Sequence, residues 1–409
     1  MTLLRPALLA LACLFTQPAQ AFDLPSLGDS SSAIVSPEQE HQLGRAWLSI
    51  LRDQVRQLED PLLKDYVESS VHRLAQTSQL NDRRLEFILL ASPQLNAFAA
   101  PGGIIGVNGG LLLHAHTEAE YASVMAHELA HLSQRHFARG LEAQKRLQVP
   151  LMAAMLAGVI AAAAGGGDLG MAAIASTQAA AIQEQRRFSR QNEQEADRIG
   201  LVNLYKAGFD PRAMPSMFER LMRQYRYDRM PPEFLLTHPV SESRIADTRN
   251  RAEQYDGKGT VDSLYYQLIR ARVQLTFEET PGIALKRFRS MLEDDSSLDA
   301  ARYGLVLALI RSNKLDEAQQ NLDVLLKKVP NSIIYNLAGV DINLSRNQFS
   351  QAHQRVDDLL QRNPNNFPLH HAKYEILLKQ NNIAQAEKTI NQILKQRPND
   401  PDIWFEVAE

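Results

Sequence analysis

Residues 126–131 read Ala-His-Glu-Leu-Ala-His, an H-E-x-x-H motif inside a segment with a helical pattern. On an α-helix His127 and His131 lie one turn apart on one face, where two imidazoles can bind a single Zn²⁺. Glu128 stands beside them, where a metal-bound water would sit. The flanking residues are apolar or small, so a chance motif would bury two unpaired histidines at a cost in free energy. We therefore expect a zinc site.

The motif helix has a recognisable start. Thr117 is a capping residue, and Glu120 three positions later completes the capping-box pattern. We expect the neighbouring histidines to lie outside the metal site. His114 and His116 are expected in the preceding loop. His136 follows the first motif histidine by nine residues at 100° each, which predicts the opposite helix face and a solvated or locally paired side chain.

A second acidic stretch offers a third ligand. Residues 190–197 read Arg-Gln-Asn-Glu-Gln-Glu-Ala-Asp, and an oxygen ligand would leave the fourth zinc position open for water. We expect Glu193 to be this ligand and Asp197, one turn later, to accept the outer N–H of a ligating imidazole. Glu195 is expected to point elsewhere. Taken alone, the stretch is equally typical of a charged surface helix.

His238 is the remaining candidate for the site. The following Pro239 holds it extended, so that it can project from a loop. Three interpretations stay open: a structural histidine, a donor to the oxyanion, or an occupant of the fourth zinc position that keeps an enzyme latent. Arg244, in a helix expected from about Ser241, is placed to orient a nearby carboxylate.

The N-terminus predicts secretion. Residues 1–21 combine one arginine, an apolar run and an Ala-Gln-Ala end, which is typical of a signal peptide cleaved after Ala21. Its apolar run is too short to span a membrane. Cys13 leaves a lipoprotein signal as the alternative. Since Cys13 is the only cysteine, its removal leaves a chain with neither disulfides nor thiolate ligands.

The region before the motif predicts two capped helices and a small sheet. Ser36-Pro37 and Asp60-Pro61 each open a helix, the first with an apolar stripe at Leu43, Trp47, Ile50 and Leu51. Strands are expected near 85–91, 96–100 and 104–107, with a Pro-Gly-Gly turn between the last two. Two interpretations stay open: an ordinary hairpin, or an edge strand beside the metal helix that can pair with an extended peptide.

Residues 149–167 carry no charge and are rich in Ala and Gly. Their length would admit a membrane span, but Pro150 and a Gly-Gly-Gly break argue against one. We expect a helical hairpin that packs on, or gates, the catalytic domain. A peripheral membrane contact is the alternative.

The C-terminal part contains a 34-residue repeat, which predicts tetratricopeptide units. Residues 256–260 form a polar, flexible break before it, and four repeats are expected at about 265–298, 299–332, 333–366 and 367–400. Three columns keep the period: Pro330, Pro364, Pro398; Ala284, Ala318, Ala352, Ala386; and Phe288, Leu322, Val356, Ile390. Residues 401–409 resemble the start of another unit, with Trp404 at a core position, so we expect the chain to be truncated at its C-terminus.

The histidine motif at 127–131 and the acidic motif at 193–197 together resemble those of a known family. H-E-x-x-H followed by E-x-x-A-D, here Glu193 to Asp197, resembles the gluzincin metallopeptidases that include HtpX and the type I CAAX prenyl proteases. The resemblance implies one Zn²⁺ per subunit on His127, His131 and Glu193, with Glu128 as catalytic acid/base. It also implies a supporting role for Asp197 and a place near the metal for His238.

The predicted fold is mainly α with a small β-sheet: a zinc metalloprotease domain over 22–256, followed by a tetratricopeptide α-solenoid over 265–409. A formal charge of −3 without a Lys/Arg block disfavours nucleic acid as a partner.

The sequence leaves two alternative functions open. The first is a periplasmic zinc endopeptidase whose repeats recruit unfolded or misassembled proteins. By resemblance, its context is the assembly machinery of outer-membrane β-barrel proteins. The alternative is a chaperone-like binding module with a mainly structural or latent zinc site. The intact Glu128 favours the enzyme, because a structural site needs no acid/base.

Overall fold

The computed structural model describes residues 35–145, 167–227, 233–256, 259–260 and 262–408. The expected signal peptide, nearly all of the Ala/Gly-rich segment 149–167 and part of the expected linker therefore lie outside the described residues. None of the described helices is both long enough and apolar enough to cross a membrane.

The two N-terminal helices begin at their predicted caps. Helix α1 (Pro37–Gln54) starts after Ser36, which forms a reciprocal capping box with Gln39. Helix α2 (Pro61–Thr77) starts after Asp60, whose carboxylate accepts from the backbone N–H groups of Leu62 and Leu63.

The apolar stripe predicted on α1 is only partly its packing face. Leu43, Trp47 and Ile50 are 48%, 39% and 57% exposed. The helix packs through Leu48, which is 1% exposed in a small apolar cluster that Leu51 joins. It also packs through Gly44, where an added Cβ would lie 2.0 Å from the carbonyl oxygen of Pro101.

The sheet has three strands in the order β1-β3-β2: β1 (Glu86–Leu90), β2 (Ala97–Ala100) and β3 (Ile104–Asn108). β1 runs parallel and β2 antiparallel to β3. Gly102 and Gly103, with φ of 78° and 81°, make the predicted turn. The hairpin is therefore also the edge of the sheet, so the two interpretations of this segment are compatible.

A short helix α3 (Gly109–His114) leads into the motif helix α4 (Glu118–Ser133), with Thr117 as its N-cap. A further helix, α5, covers 136–145 as far as it is described. Helix α6 (Gly167–Lys206) lies against α4, and an added Cβ on Gly200 would be 3.1 Å from the backbone of Ala126. This close approach brings the two halves of the predicted site together.

Three helices complete this region: α7 (Ala213–Tyr227), α8 (Glu233–Thr237) and α9 (Glu242–Ala252). Ser241 caps α9 as predicted. Thr260, in the expected flexible linker, is held by backbone hydrogen bonds to Gly208 and Asp210. The main apolar core also continues from residue 62 to residue 376. The predicted domain boundary therefore stays a prediction.

The repeat region consists of paired helices. In chain order they are α10 (Leu264–Phe277), α11 (Pro281–Asp294), α12 (Asp299–Arg311), α13 (Leu315–Lys328), α14 (Ile333–Ser345), α15 (Phe349–Arg362), α16 (Phe367–Lys379) and α17 (Ile383–Gln396), followed by α18 (Pro401–Ala408). The predicted alanine and large apolar columns are buried. Asn313, Asn347 and Asn381 repeat the 34-residue step with φ near 55° at the turns between paired helices.

Residue 404 departs from the prediction. Trp404 is 52% exposed, and Ile403 takes the core position at 1% exposure. The indole N–H of Trp404 donates to the carbonyl of Pro398 instead, at 2.8 Å.

Candidate metal centre

Four side chains converge where α4, α6 and the residue after α8 meet. His127, His131, Glu193 and His238 each place a ligand atom within 4.8 Å of the others. The two motif imidazoles face each other through Nε2 at 3.0 Å. Glu193 oxygens lie 3.5 Å and 3.4 Å from these two nitrogens. His238 Nδ1 lies 3.1 Å from Glu193 Oε1, so it occupies the remaining side of the cluster.

The donor set fits zinc. Two imidazole nitrogens and one carboxylate converge on a point, which is the ligand set of many catalytic zinc sites. Burial tends to raise the pKa of Glu193, but hydrogen bonds from His127 and His238 outweigh it and hold the pKa far below its ordinary value. Glu193 is therefore an anion and available as a ligand.

A buried ion pair supports the first motif histidine. His127 Nδ1 lies 3.0 Å from Asp197 Oδ1. Arg244 holds the same carboxylate with two hydrogen bonds of 2.7 Å and lies 3.0 Å from Glu193. Burial alone would lower the pKa of His127, but hydrogen bonds to Asp197 and Glu193 raise that pKa to about 9.

Glu128 sits between the cluster and the edge strand. Its Oε2 accepts from the backbone N–H of Ala99 on β2 at 3.0 Å. Its Oε1 has no hydrogen-bond partner among the described residues, and His238 Nε2 is 3.5 Å away. Burial raises the pKa of Glu128, which makes it a better proton acceptor.

A cleft of about 1670 Å³ opens onto these residues. Trp47 and Phe98 line it and meet edge-to-face, with their ring centroids 5.6 Å apart. The cleft therefore exposes apolar rings beside the edge strand. The sequence analysis did not identify Trp47 as a cleft residue. Its side chain belongs to the exposed part of the α1 stripe, which fits this position.

His136 is not one of the four converging side chains, but it is locally paired, as one form of the prediction expected. The predicted opposite face was wrong because α4 ends at Ser133, and Arg135 takes a left-handed conformation with φ of 50°. His136 Nδ1 then lies 2.8 Å from His131 Nδ1, and its Nε2 lies 3.2 Å from Glu195. Burial lowers the pKa of both histidines. Hydrogen bonds, first from His136, lower the pKa of Glu195 to about 2.

His114 and His116 lie outside the cluster, as expected. His114 ends α3, and His116 Nδ1 contacts Arg220 at 2.9 Å.

Comparison with known proteins agrees with this geometry. Residues 61–252 match Peptidase family M48, and residues 343–404 match a tetratricopeptide repeat. The chain is 38% identical over 334 residues to the β-barrel assembly-enhancing protease of Escherichia coli, covering 80% of this chain and 67% of that protein. The chain belongs to peptidase family M48. The predicted metallopeptidase resemblance and the predicted fold class are confirmed.

Other relatives extend the comparison. The putative β-barrel assembly-enhancing protease of Vibrio cholerae is 39% identical over 316 residues, 76% of this chain and 65% of that protein. The mitochondrial metalloendopeptidase OMA1 of Arabidopsis thaliana is 34% identical over 177 residues, 43% of this chain and 33% of that protein. The chain spans about two thirds of the length of the β-barrel assembly-enhancing proteases that it matches. M48 membership implies a metal ion in the site.

Proposed function

We propose that this protein is a periplasmic zinc-dependent endopeptidase. The observation that carries the proposal is the convergence of His127, His131 and Glu193. Glu128 follows the first of these in the chain, and its Oε1 has no hydrogen-bond partner among the described residues. These three residues are the proposed ligands of one Zn²⁺. The N-terminal signal pattern, with cleavage after Ala21, supports the periplasmic location.

The chain's own residues supply the proton transfers. Bound zinc lowers the pKa of water to about 7 and polarises a peptide carbonyl. Glu128 accepts the proton of the attacking water on Oε1 and returns it to the leaving amine. Asp197 Oδ1 lies 3.0 Å from His127 Nδ1, where it would favour a proton on that nitrogen and leave Nε2 of the ring free to ligate.

The substrate is an extended peptide. β2 is an edge strand, and its Ala99 N–H already donates to Glu128. The backbone of a peptide that pairs with this edge would lie within hydrogen-bonding range of Glu128. The aromatic pair Trp47 and Phe98 offers apolar contacts for its side chains.

His238 controls access to the site. Its Nδ1 lies 3.1 Å and 3.2 Å from the two oxygens of Glu193, so His238 would be a fourth residue able to hold the metal and to exclude water from it. In this arrangement the protease is latent. His238→Ala is then expected to raise proteolysis, and a fall in activity would instead favour a catalytic role in stabilising the oxyanion.

The repeats recruit protein substrates. Repeat solenoids present concave surfaces that bind proteins. The names of the bacterial relatives, which refer to β-barrel assembly, support maturation and quality control of outer-membrane β-barrel proteins as the context. The assembly machinery of these proteins is the proposed partner.

One experiment tests the catalytic proposal. Purified wild type, Glu128→Gln and His238→Ala proteins are assayed for zinc content and for degradation of an unfolded β-barrel protein. We expect Glu128→Gln to retain zinc and to lose cleavage by at least about 100-fold, the scale of general acid/base catalysis. If the wild type binds zinc and none of the three proteins cleaves the substrate, only the chaperone-like binding module remains.

A further inference from the structure

His136 is placed against His131 by the end of the motif helix. The helix ends at Ser133, and Arg135 is a non-glycine residue in the left-handed region. The guanidinium of Arg135 is fixed by Glu40 at 2.9 Å and by the carbonyl of Val35 at 2.7 Å. A costly backbone conformation is thus held from outside the helix, and it brings His136 Nδ1 to 2.8 Å from His131 Nδ1.

The other side of the His136 ring is also anchored. Its Nε2 lies 3.2 Å from Glu195 Oε2, and Arg139 Nη1 donates to the same oxygen at 2.8 Å. His136 is 7% exposed. The ring therefore bridges a motif histidine and a carboxylate that is itself paired with an arginine.

Only one arrangement of protons satisfies these contacts when His131 faces the metal through Nε2. That nitrogen must be unprotonated, so neutral His131 carries its proton on Nδ1 and donates it to His136 Nδ1. His136 then carries its own proton on Nε2 and donates it to Glu195. The opposite arrangement would place a lone pair of His136 against the carboxylate and a proton of His131 on the ligating nitrogen.

We propose that His136, anchored by Glu195, is a positioning residue that fixes the tautomer and the ring orientation of His131 for metal binding. The proposal rests on the proposed function, since it assumes a metal ion at this site. It gives His131 the same kind of support that Asp197 gives His127. On one side Arg244 holds the acceptor Asp197 directly, and on the other Arg139 holds Glu195, which anchors the acceptor His136.

Zinc affinity measured by competition with a chromophoric chelator tests the proposal. His136→Leu keeps a buried side chain of similar size but removes the acceptor, and it should weaken zinc binding about 10–100-fold. His136→Asn places its amide oxygen near the position of Nδ1 and should recover most of this loss. His353→Leu, in the repeat region, is the matched control and should bind zinc as the wild type does. Thermal unfolding of the metal-free proteins reports whether each variant folds.

Three outcomes would overturn the proposal. His136→Leu that folds and binds zinc within twofold of wild type would show that His131 needs no such support. If His136→Asn binds zinc as weakly as His136→Leu, the hydrogen-bond acceptor at this position is not what supports His131. A wild type that binds no zinc would overturn the proposed function, and the inference with it.

Discussion

Replacing Arg244 tests how the metal centre is held together. This side chain is 4% exposed and spans two carboxylates: it donates twice to Asp197 at 2.7 Å and lies 3.0 Å from Glu193. It also donates to the carbonyl of Pro239, next to His238, at 2.7 Å. Arg244→Met removes the charge and keeps much of the volume. It leaves two buried carboxylates without their cation.

The expected loss follows from this burial. Removing one partner of a buried ion pair destabilises a protein by about 3–5 kcal/mol, because the other charge remains desolvated. Arg249, five residues later on α9, provides a matched control. It pairs with Glu219, but its side chain is 52% exposed, and an exposed pair contributes at most about 1 kcal/mol. Arg249→Met should therefore be nearly neutral.

Urea unfolding of the metal-free proteins measures both changes. The double variant Arg244→Met/Asp197→Asn should be less destabilised than the two single changes predict, by about 1–3 kcal/mol, because the neutral amide no longer needs the guanidinium. An Arg244→Met variant as stable as Arg249→Met would refute the view that this ion pair organises the site. Additive effects in the double variant would refute direct coupling.

Three further predictions concern packing, the contact between the repeats and the N-terminal helices, and pH. An added Cβ at Gly304 would lie 2.4 Å from the ring of Phe288, so Gly304→Ala should lower the free energy of unfolding by about 1–3 kcal/mol. Gly282→Ala should not, because its added Cβ would lie 3.9 Å from the nearest atom, Thr280 Oγ1. Lys64 on α2 donates to two aspartates near α18 at 2.7 Å and 2.5 Å, so Lys64→Met should cost about 1.5–3 kcal/mol and expose the C-terminal helix to limited proteolysis. The pKa of about 9 for His127 lies above its ordinary value of 6.5, so its contribution to the stability of the metal-free protein is complete below pH 6.5 and is lost as pH rises through 9. Thermal unfolding should show this decline, up to about 3 kcal/mol, and His127→Asn should abolish it.

Local chemistry made much of the fold predictable. The caps at Ser36, Asp60 and Thr117 lie where a side-chain oxygen can satisfy free N–H groups, and this interaction needs only neighbouring residues. The repeat columns were equally readable, because each unit buries the same alanine and large apolar positions. Glu193 could be selected because its spacing to Asp197 matches one helical turn.

The unpredicted features depend on where helices end and on contacts without side chains. His136 was assigned to the wrong face because a helical wheel assumes a continuous helix, whereas α4 ends at Ser133 and Arg135 is left-handed. The stripe on α1 was readable as a pattern, but the helix packs through Leu48, beside the stripe, and through Gly44, whose close contact with Pro101 no hydrophobic pattern shows. Both depend on residues distant in sequence, such as Glu40, which holds Arg135 in place.

The charges of the buried site explain why it is divided between distant parts of the sequence. Glu128, Glu193 and Asp197 are three buried carboxylates, and Arg244 is the buried cation that contacts two of them. A dication at the proposed ligands would bring the formal charge of this set to zero. Without it, the raised pKa of His127 supplies a proton that replaces part of the missing positive charge. Neither half of the site is electrostatically stable alone, so docking of α6 and α9 on α4 and binding of the metal are expected to reinforce each other.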